Sequence, residues 1–352
     1  MNTDTLIPKT IYEQLESGHP VVLASIVDIQ GSSPRHRGAK MVVCADGKSY
    51  GTIGGSLFEA KATEEARRIL VTSQPRFMDF DFDDSKAYSG GMICGGKATV
   101  LLDYIPDSQE NIGLFRCWYK SVMAGTSFYF LSYVSYTKMG ISILGHSLLF
   151  PDGKSFGDAV LSPSHLEMLS SEIRNISATT IVPIGDTRVV VDPIKKLQTL
   201  YCLGAGHVAV PTAHIAALAG FRIVVLDDRT EFANAERFPN AEQINVIKDY
   251  STALEGVEID KDSYIVIMTR GHQYDQEVLE QALKTQASYI GMISSRKKRN
   301  SVYRALLAKG IRKQELERVH SPIGMAIGSE TPEEIAVSIV AQLIKERSRL
   351  VA

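Results

Sequence analysis

The residues of this 352-residue chain whose types and spacing could do chemistry are three glycine-bearing turns, two histidines and one glycine-flanked cysteine. Gly204-Ala205-Gly206-His207-Val208-Ala209 follows the apolar run TLYCL (199–203) and precedes a helical pattern. In that context the first glycine permits a tight turn, and the second lets backbone approach a pyrophosphate. Ala209 stands where helix and strand must pack closely. Asp227 ends the next apolar run, about 20 residues on, where an acidic residue is expected to accept from a ribose diol and to repel a 2′-phosphate. Asp227 thereby disfavours NADP against NAD, a preference that the nearby Arg229 blurs without removing. The bland alternative is a turn that keeps its glycines for geometry and binds nothing.

Thr269-Arg270-Gly271-His272 follows the fourth apolar run. In a 3-2-1-4 strand order its loop faces the first glycine turn across the ligand crevice. His207 and His272 could then meet there to move a proton or hold a metal, or His207 could simply cap helix amides. His214 is expected to pack. Gly54-Gly55-Ser56 precedes a helix whose free amides would attract an anion, although Ser56 and Glu59 also fit a reciprocal capping box. Arg35, His36, Arg37 and Lys40 lie in a Gly/Ser-rich turn, as phosphate ligands or as a solvated basic loop. Cys94 sits between glycine pairs, as a handler of sulfur or metal or as a buried thiol in a turn.

The elements that must position these residues fall into two halves. VVLASIVDI (21–29) is rich in β-branched residues and predicts a strand after a helix over 10–17. Asp-Gly within ADGK (45–48) predicts a hairpin turn, and SLFEAKATEEARRIL (56–70) an amphipathic helix. FMDFDFDD (77–84) alternates like an exposed edge strand ahead of the strand KATVLLDYI (97–105). Between 107 and 195, SFYFLSYVSY (127–136) and VVVD (189–192) predict strands that extend the first domain, plus a connection. From Leu197 strands at 199–203, 221–227, 242–247, 264–268 and 289–293 alternate with helices, which predicts a parallel sheet with right-handed crossovers. The expected fold class is α/β: a C-terminal Rossmann-like doubly wound parallel sheet with an N-terminal α+β domain. Domain bounds are expected at 1–106, 107–195 and 196–352.

Composition bounds the partners. With 44% hydrophobic and 22% charged residues and a formal net charge of -2, no basic surface for nucleic acid is implied. The apolar runs are too short to span a bilayer, and MNTDTLIPKT has no signal-peptide apolar core, so a cytoplasmic protein is expected. Cys44, Cys94, Cys117 and Cys202 form no C-x-x-C pair and are expected as reduced thiols.

The segments GSSPRHRGAKM (31–41), GTIGGSLFEA (51–60), CGG (94–96), GAGHVA (204–209), DDRTEFANAERFPNA (227–241), TRGHQYDQEVL (269–279), YIGMISSRKK (289–298) and SPIGMAIGSETPEEIAVSI (321–339) together resemble the XdhC/CoxI family. The resemblance covers nearly the whole chain except roughly 107–190. It departs at Ser56 and Leu57, where the family often has a third glycine and a cysteine, and at Ser294, where it has glycine. Cys94 is thereby the one motif thiol.

The resemblance implies an accessory protein that binds molybdenum cofactor, protects it during sulfuration and inserts it into a xanthine dehydrogenase-type hydroxylase. Implied partners are the apo molybdenum hydroxylase, a cysteine desulfurase and a second copy of the chain. Molybdopterin carries phosphate, and its dinucleotide forms carry a pyrophosphate suited to the Gly204–Gly206 turn. The cofactor-binding candidates are Gly204, Gly206, His207, Asp227, Arg270, His272, Arg35, Gly54, Gly55 and Cys94, with no catalytic residue and no metal ligand assigned. The alternatives are an NAD-dependent oxidoreductase using His207 or His272 as acid and base, and a regulatory nucleotide sensor.

Overall fold

The computed structural model describes residues 3–31, 33, 35–81, 96–138, 140–158, 160–173 and 176–349, with backbone alone at Ser56 and His272. The chain divides into two units, Thr3–Lys196 and the residues from Leu197 on.

In the first unit, α1 (Thr3–Glu16) leads into β1 (Val21–Gly31), β2 (Lys40–Cys44) and β3 (Ser49–Gly51). Then come α2 (Ser56–Thr72), β4 (Arg76–Asp81) and β5 (Gly96–Ile105). The strands form an antiparallel sheet in the order β3-β2-β1-β5-β4, so β4 is an edge strand as its alternation predicts. The Asp-Gly turn joins β2 to β3, with the Cys44 amide donating to the Lys48 carbonyl at 2.9 Å. Phe58, Ala62, Ala66 and Ile69 recur at helical spacing along α2 and bury that face against Val22, Ala24, Val100 and Leu102 of the sheet. Helix α1 starts well before the expected residue 10.

The region from 107 to 195, expected as strands that extend the first domain plus a connection, builds a second sheet within the same unit. Helix α3 (Gln109–Met123) precedes β6 (Phe128–Thr137), β7 (Gly140–Leu149) and β8 (Ser155–Gly157). After α4 (Pro163–Glu172) come β9 (Thr180–Ile184) and β10 (Thr187–Ile194), giving the antiparallel order β8-β7-β6-β10-β9. Helix α3 has a sequence signal that the strand-rich reading passed over. Ser108 caps it by accepting from the Asn111 amide, and Ile112, Phe115, Trp118 and Val122 line its buried face.

The two sheets of this unit share a small apolar cluster, Val27, Leu101, Val134, Ile141 and Val190. A buried polar pair lies between them as well. Asp103 of β5 meets His146 Nε2 of β7 at 2.8 Å and accepts from Ser132 of β6 at 3.2 Å. The His146 ring stacks on Phe130 at 5.5 Å, and its backbone amide donates to Asp158 at 2.9 Å. Burial pulls the His146 pKa down, but the facing Asp103 and Asp158 carboxylates outweigh it and raise the pKa above its ordinary value. The stability this histidine contributes is therefore fully present below its unfolded pKa and is lost as pH rises through the higher folded value. His146→Gln keeps a hydrogen-bonding group there but does not titrate. Wild type is expected to lose stability relative to this variant with rising pH, by roughly 1.4 kcal/mol for each unit of the raised pKa. Parallel urea titrations across that range that kept a constant difference would refute the linkage.

In the second unit, β11 (Thr199–Leu203), α5 (Ala209–Leu218), β12 (Arg222–Asp227), β13 (Gln243–Val246) and β14 (Ser263–Ile267) come first. They are followed by α6 (His272–Ala282), β15 (Tyr289–Met292), α7 (Arg296–Ala308), α8 (Lys313–Glu317), β16 (Val319–His320) and α9 (Pro332–Arg349). The sheet is parallel in the order β13-β12-β11-β14-β15-β16. This is the doubly wound Rossmann order expected from the sequence. Strands buried on both faces require continuous apolar runs, and β11 and β14 are buried at every position. One face packs α5 and α9 through Ala209, Ala213, Ile339 and Leu343, and the other packs α6 and α7 through Val278, Ala282, Val302 and Leu306. The two-residue β16 is too short for any periodicity to reveal. Thr331 and Glu334 form a reciprocal cap on α9, with bonds of 3.2 Å in each direction.

Candidate functional site

The order of the sheet reverses between β11 and β14, and ligands of such folds bind outside the carboxyl ends of the strands at that point. The Gly204–Gly206 turn leaves β11 there, and its two glycines serve different ends. Gly204 has φ +107 and its amide donates to the Leu226 carbonyl at 2.7 Å. A Cβ on it would overlap the Met268 carbonyl, so the close passage of the two strand exits requires glycine. At Gly206 a Cβ would meet nothing within 4 Å. Packing within the fold does not demand this glycine, and the space beside it is open to a ligand.

Asp227 ends β12 fully buried, and the protein surrounds its carboxylate with donors. The Ala205 amide donates at 2.7 Å, the Arg229 amide at 3.0 Å, and the Arg229 guanidinium donates twice at 2.9 Å. A carboxylate offers about four lone-pair directions, so these contacts use it up. As placed, Asp227 clamps the glycine turn and the Arg229 fork together, which differs from the ribose-diol role its spacing suggests. Burial by itself pushes the Asp227 carboxyl up, but the Arg229 and Ala205 hydrogen bonds outweigh burial and hold its pKa below the ordinary value. Arg229 lies over the Phe232 ring at 3.7 Å, which fixes the other side of the guanidinium.

Arg270 leaves β14 and crosses toward the β12 exit, donating to Asp228 at 2.6 Å and lying over the Tyr274 ring at 5.1 Å. Sequence spacing thus brought Gly204, Gly206, Asp227 and Arg270 to one rim, with Asp228 added by the structure. His207 is exposed and α5 begins only at Ala209, with Val208 as its cap and no side-chain cap bond, so the capping role considered for His207 is not formed. His272 opens α6, and its side chain lies outside the described atoms. His214, expected to pack, is exposed and bonds Asn240 at 3.0 Å.

A buried charge cluster beside this rim escaped the sequence reading. Asp275 is fully buried, accepts from Thr269 at 2.6 Å and pairs with Lys298 of α7. Burial raises its pKa against the pull of Lys298 and Thr269. The signal that marks it is an acidic residue on the same helical stripe as the buried Val278, Leu279 and Ala282 of α6. Nothing in the polar run RKKRN singles out Lys298.

In the first unit, Gly54 and Gly55 do lead into a helix, but the protein supplies its own anion. Glu59 accepts from the Gly55 amide at 2.5 Å, from the Gly54 amide at 3.3 Å, and from the Thr52 hydroxyl. Gly55, at φ +76, is the cap and Ser56 the first helical residue, so the Ser56–Glu59 box is replaced by this longer reach. Glu59→Ala is expected to cost about 1 kcal/mol, as loss of a helix cap does. An unchanged denaturation midpoint would show that the contact carries no stability.

Of the basic turn, Arg37 pairs with Asp28 at 2.6 Å and Lys40 with the buried Asp192 at 2.5 Å. Arg35 is exposed on the rim of a cavity of about 220 Å³. Cys94 lies outside the described residues. Cys44 and Cys202 are buried free thiols, pushed up by burial to about 11 and about 12, so neither supplies a thiolate near neutrality. No helix among the described residues is long and apolar enough to cross a membrane.

Comparison with known proteins bears on both units. Residues 200–343 match the XdhC Rossmann domain, and residues 14–81 match the XdhC and CoxI family. The chain is 27% identical over 340 residues to a Bacillus subtilis protein described as a probable xanthine dehydrogenase subunit, covering 96% of each chain. It is 21% identical over 335 residues to the molybdenum cofactor insertion chaperone PaoD of Escherichia coli, covering 95% of this chain and 86% of PaoD. Protein YqeB of Escherichia coli, described as uncharacterized, is 27% identical over 333 residues, but the chain spans only 44% of its length. A crystal structure of a Bacillus halodurans protein described as a xanthine dehydrogenase superposes with a TM-score of 0.79 at 28% identity, covering 97% of this chain and 96% of that one. With its Rossmann strand order, its glycine turn at the reversal point and family matches in both units, the chain belongs to the XdhC and CoxI family.

Proposed function

We propose that this protein is a carrier for molybdenum cofactor, which it binds, shields during sulfuration and hands to an apo-hydroxylase of the xanthine dehydrogenase type. The observation that carries the reading is likeness along both units, not the Rossmann half alone, to a chaperone named for inserting this cofactor. The open space at Gly206 supports it, because a diphosphate can approach the backbone there. Asp227 weighs against the runner-up, an NAD-dependent oxidoreductase, since the carboxylate that would hold the ribose diol is committed to Ala205 and Arg229. The cofactor is cargo, so the chain's own groups bind and release it. Arg270 leaving Asp228 for a phosphate oxygen is one such exchange, trading one charge-assisted bond for another. A cysteine desulfurase and a second copy of this chain complete the proposed partners.

Calorimetry of the purified chain with molybdopterin and with NAD tests the reading. Saturable binding of molybdopterin, with no hydride transfer to NAD in the presence of candidate hydroxylase substrates, is expected. Binding of NAD with reduction, and no heat from molybdopterin, would replace the carrier by the oxidoreductase.

A further inference from the structure

The first unit has a cavity of about 220 Å³ on whose rim Arg35 stands. Its walls come from the first turns of α1, from the turn between β1 and β2, from Thr52, from Ile194 and from Trp118 of α3. That volume falls below the roughly 300–1,000 Å³ of pockets that enclose a whole drug-sized ligand, so it takes one end of a molecule.

One cation on its rim is unspent, and Trp118, 2% exposed, forms part of the wall. Arg35 forms no hydrogen bond or ion pair with the described residues, and its planar fork suits an oxyanion. A second donor is held ready. Lys40 is pinned by Asp192 at 2.5 Å and by the Gly38 carbonyl at 2.9 Å, while Thr179 donates to Asp192 at 2.6 Å. An ammonium has three N–H groups, and these contacts leave one. Gly38, at φ +87, is required there because a Cβ would come within 2.6 Å of the Thr179 hydroxyl. Ile7, Pro8 and the Trp118 ring supply an apolar side.

The geometry points to a phosphate-monoester site: the phosphate end of the ligand lies between Arg35 and Lys40, with Trp118 on the wall beside it. Resting on the carrier reading above, that ligand is the cofactor in its molybdopterin form, whose single phosphate is held by the first unit, while the Gly206 crevice takes the diphosphate of a dinucleotide form. Asp4 also lines the cavity, has a partner of its own, and repels an anion there. This gives two charge variants of opposite sign. Arg35→Gln should weaken phosphate binding about tenfold or more, as loss of a charge-assisted bond does. Asp4→Asn should tighten it severalfold.

Trp118 is the only tryptophan of the chain, so its emission reports on this cavity. Inorganic phosphate, transparent to indole excitation, is expected to change that emission saturably, with the two variants shifting its affinity as stated. Molybdopterin should then compete with phosphate in calorimetry. Because Trp118 is packed among Phe115, Phe128 and Phe130, the surface variants Arg35→Gln and Asp4→Asn carry the test without disturbing the core. An emission unchanged by phosphate overturns the site, as does an affinity that Arg35→Gln leaves alone. Weaker binding in Asp4→Asn overturns the phosphate assignment in favour of a ligand N–H facing that carboxylate. If phosphate binds but molybdopterin does not displace it, the site loses its link to the cofactor. If molybdopterin binds calorimetrically without competing, the carrier reading stands and only the assignment of this cavity to the cofactor falls.

Discussion

Asp227→Ala is expected to destabilise the second unit by about 3–5 kcal/mol, the usual cost of breaking a buried charge pair by removing one partner. The loss has three parts. The Arg229 guanidinium, 21% exposed, is left with only the longer ion pair to Asp228 at 3.7 Å, the Ala205 amide loses its acceptor, and the glycine turn loses the group that ties it to β12. The pH dependence follows from the lowered carboxyl pKa. A carboxyl depressed in the folded state contributes stability that is present above its unfolded value and is lost as pH falls through the folded one. The gap between wild type and Asp227→Ala should therefore be full near neutrality and shrink in acid. Urea midpoints at several pH values measure this. A variant that unfolds with wild type at neutral pH, while losing nucleotide binding, would return Asp227 to the ribose role its spacing suggests.

Gly204→Val and Gly206→Val are expected to part company, although the two glycines are two residues apart. At Gly204 the side chain would overlap the Met268 carbonyl from a backbone at φ +107. Overpacking and a forced left-handed residue each cost on the order of 1–3 kcal/mol, so roughly 3 kcal/mol or more is expected, with loss of soluble protein where the margin is thin. At Gly206 the added atoms enter open space. The fold should lose less than about 1 kcal/mol there, while a diphosphate that approaches this backbone should bind about tenfold or more weakly. Chemical denaturation and calorimetry on the same two proteins separate the effects. Equal destabilisation by both variants would mean that Gly206 too is a packing residue, and that the crevice offers no room for cargo.

Several features of the second unit were legible from local pattern. Strands buried on both faces must read as apolar runs, helices between them must repeat near every fourth residue, and a turn that crowds a neighbouring strand must contain glycine. Those rules locate β11, β12, β14 and the Gly204 turn without any knowledge of contacts. The 107–195 region was less legible. Its strands alternate in a sheet that shares only a small apolar cluster with its neighbour, and helix α3, although capped by Ser108, runs into a stretch rich in aromatic residues that favour strands.

By itself the sequence determined which residues sit at chain reversals, and therefore that Gly204, Gly206, Asp227 and Arg270 gather at one end of a parallel sheet. Periodicity and glycine placement are properties of neighbouring residues. What each polar group does there was decided by tertiary structure, because a hydrogen-bonding group serves whichever partner is nearest in space. Asp227 accepts from Arg229 and Ala205, Glu59 fills the Gly54–Gly55 amides, and Lys298 meets Asp275 across two helices. Trp118 lines a cavity with Arg35 from a turn distant in sequence. Competition between a protein's own groups and a ligand for the same amides and cations is settled by distances of a few tenths of an ångström, and such distances exist only after the chain has folded.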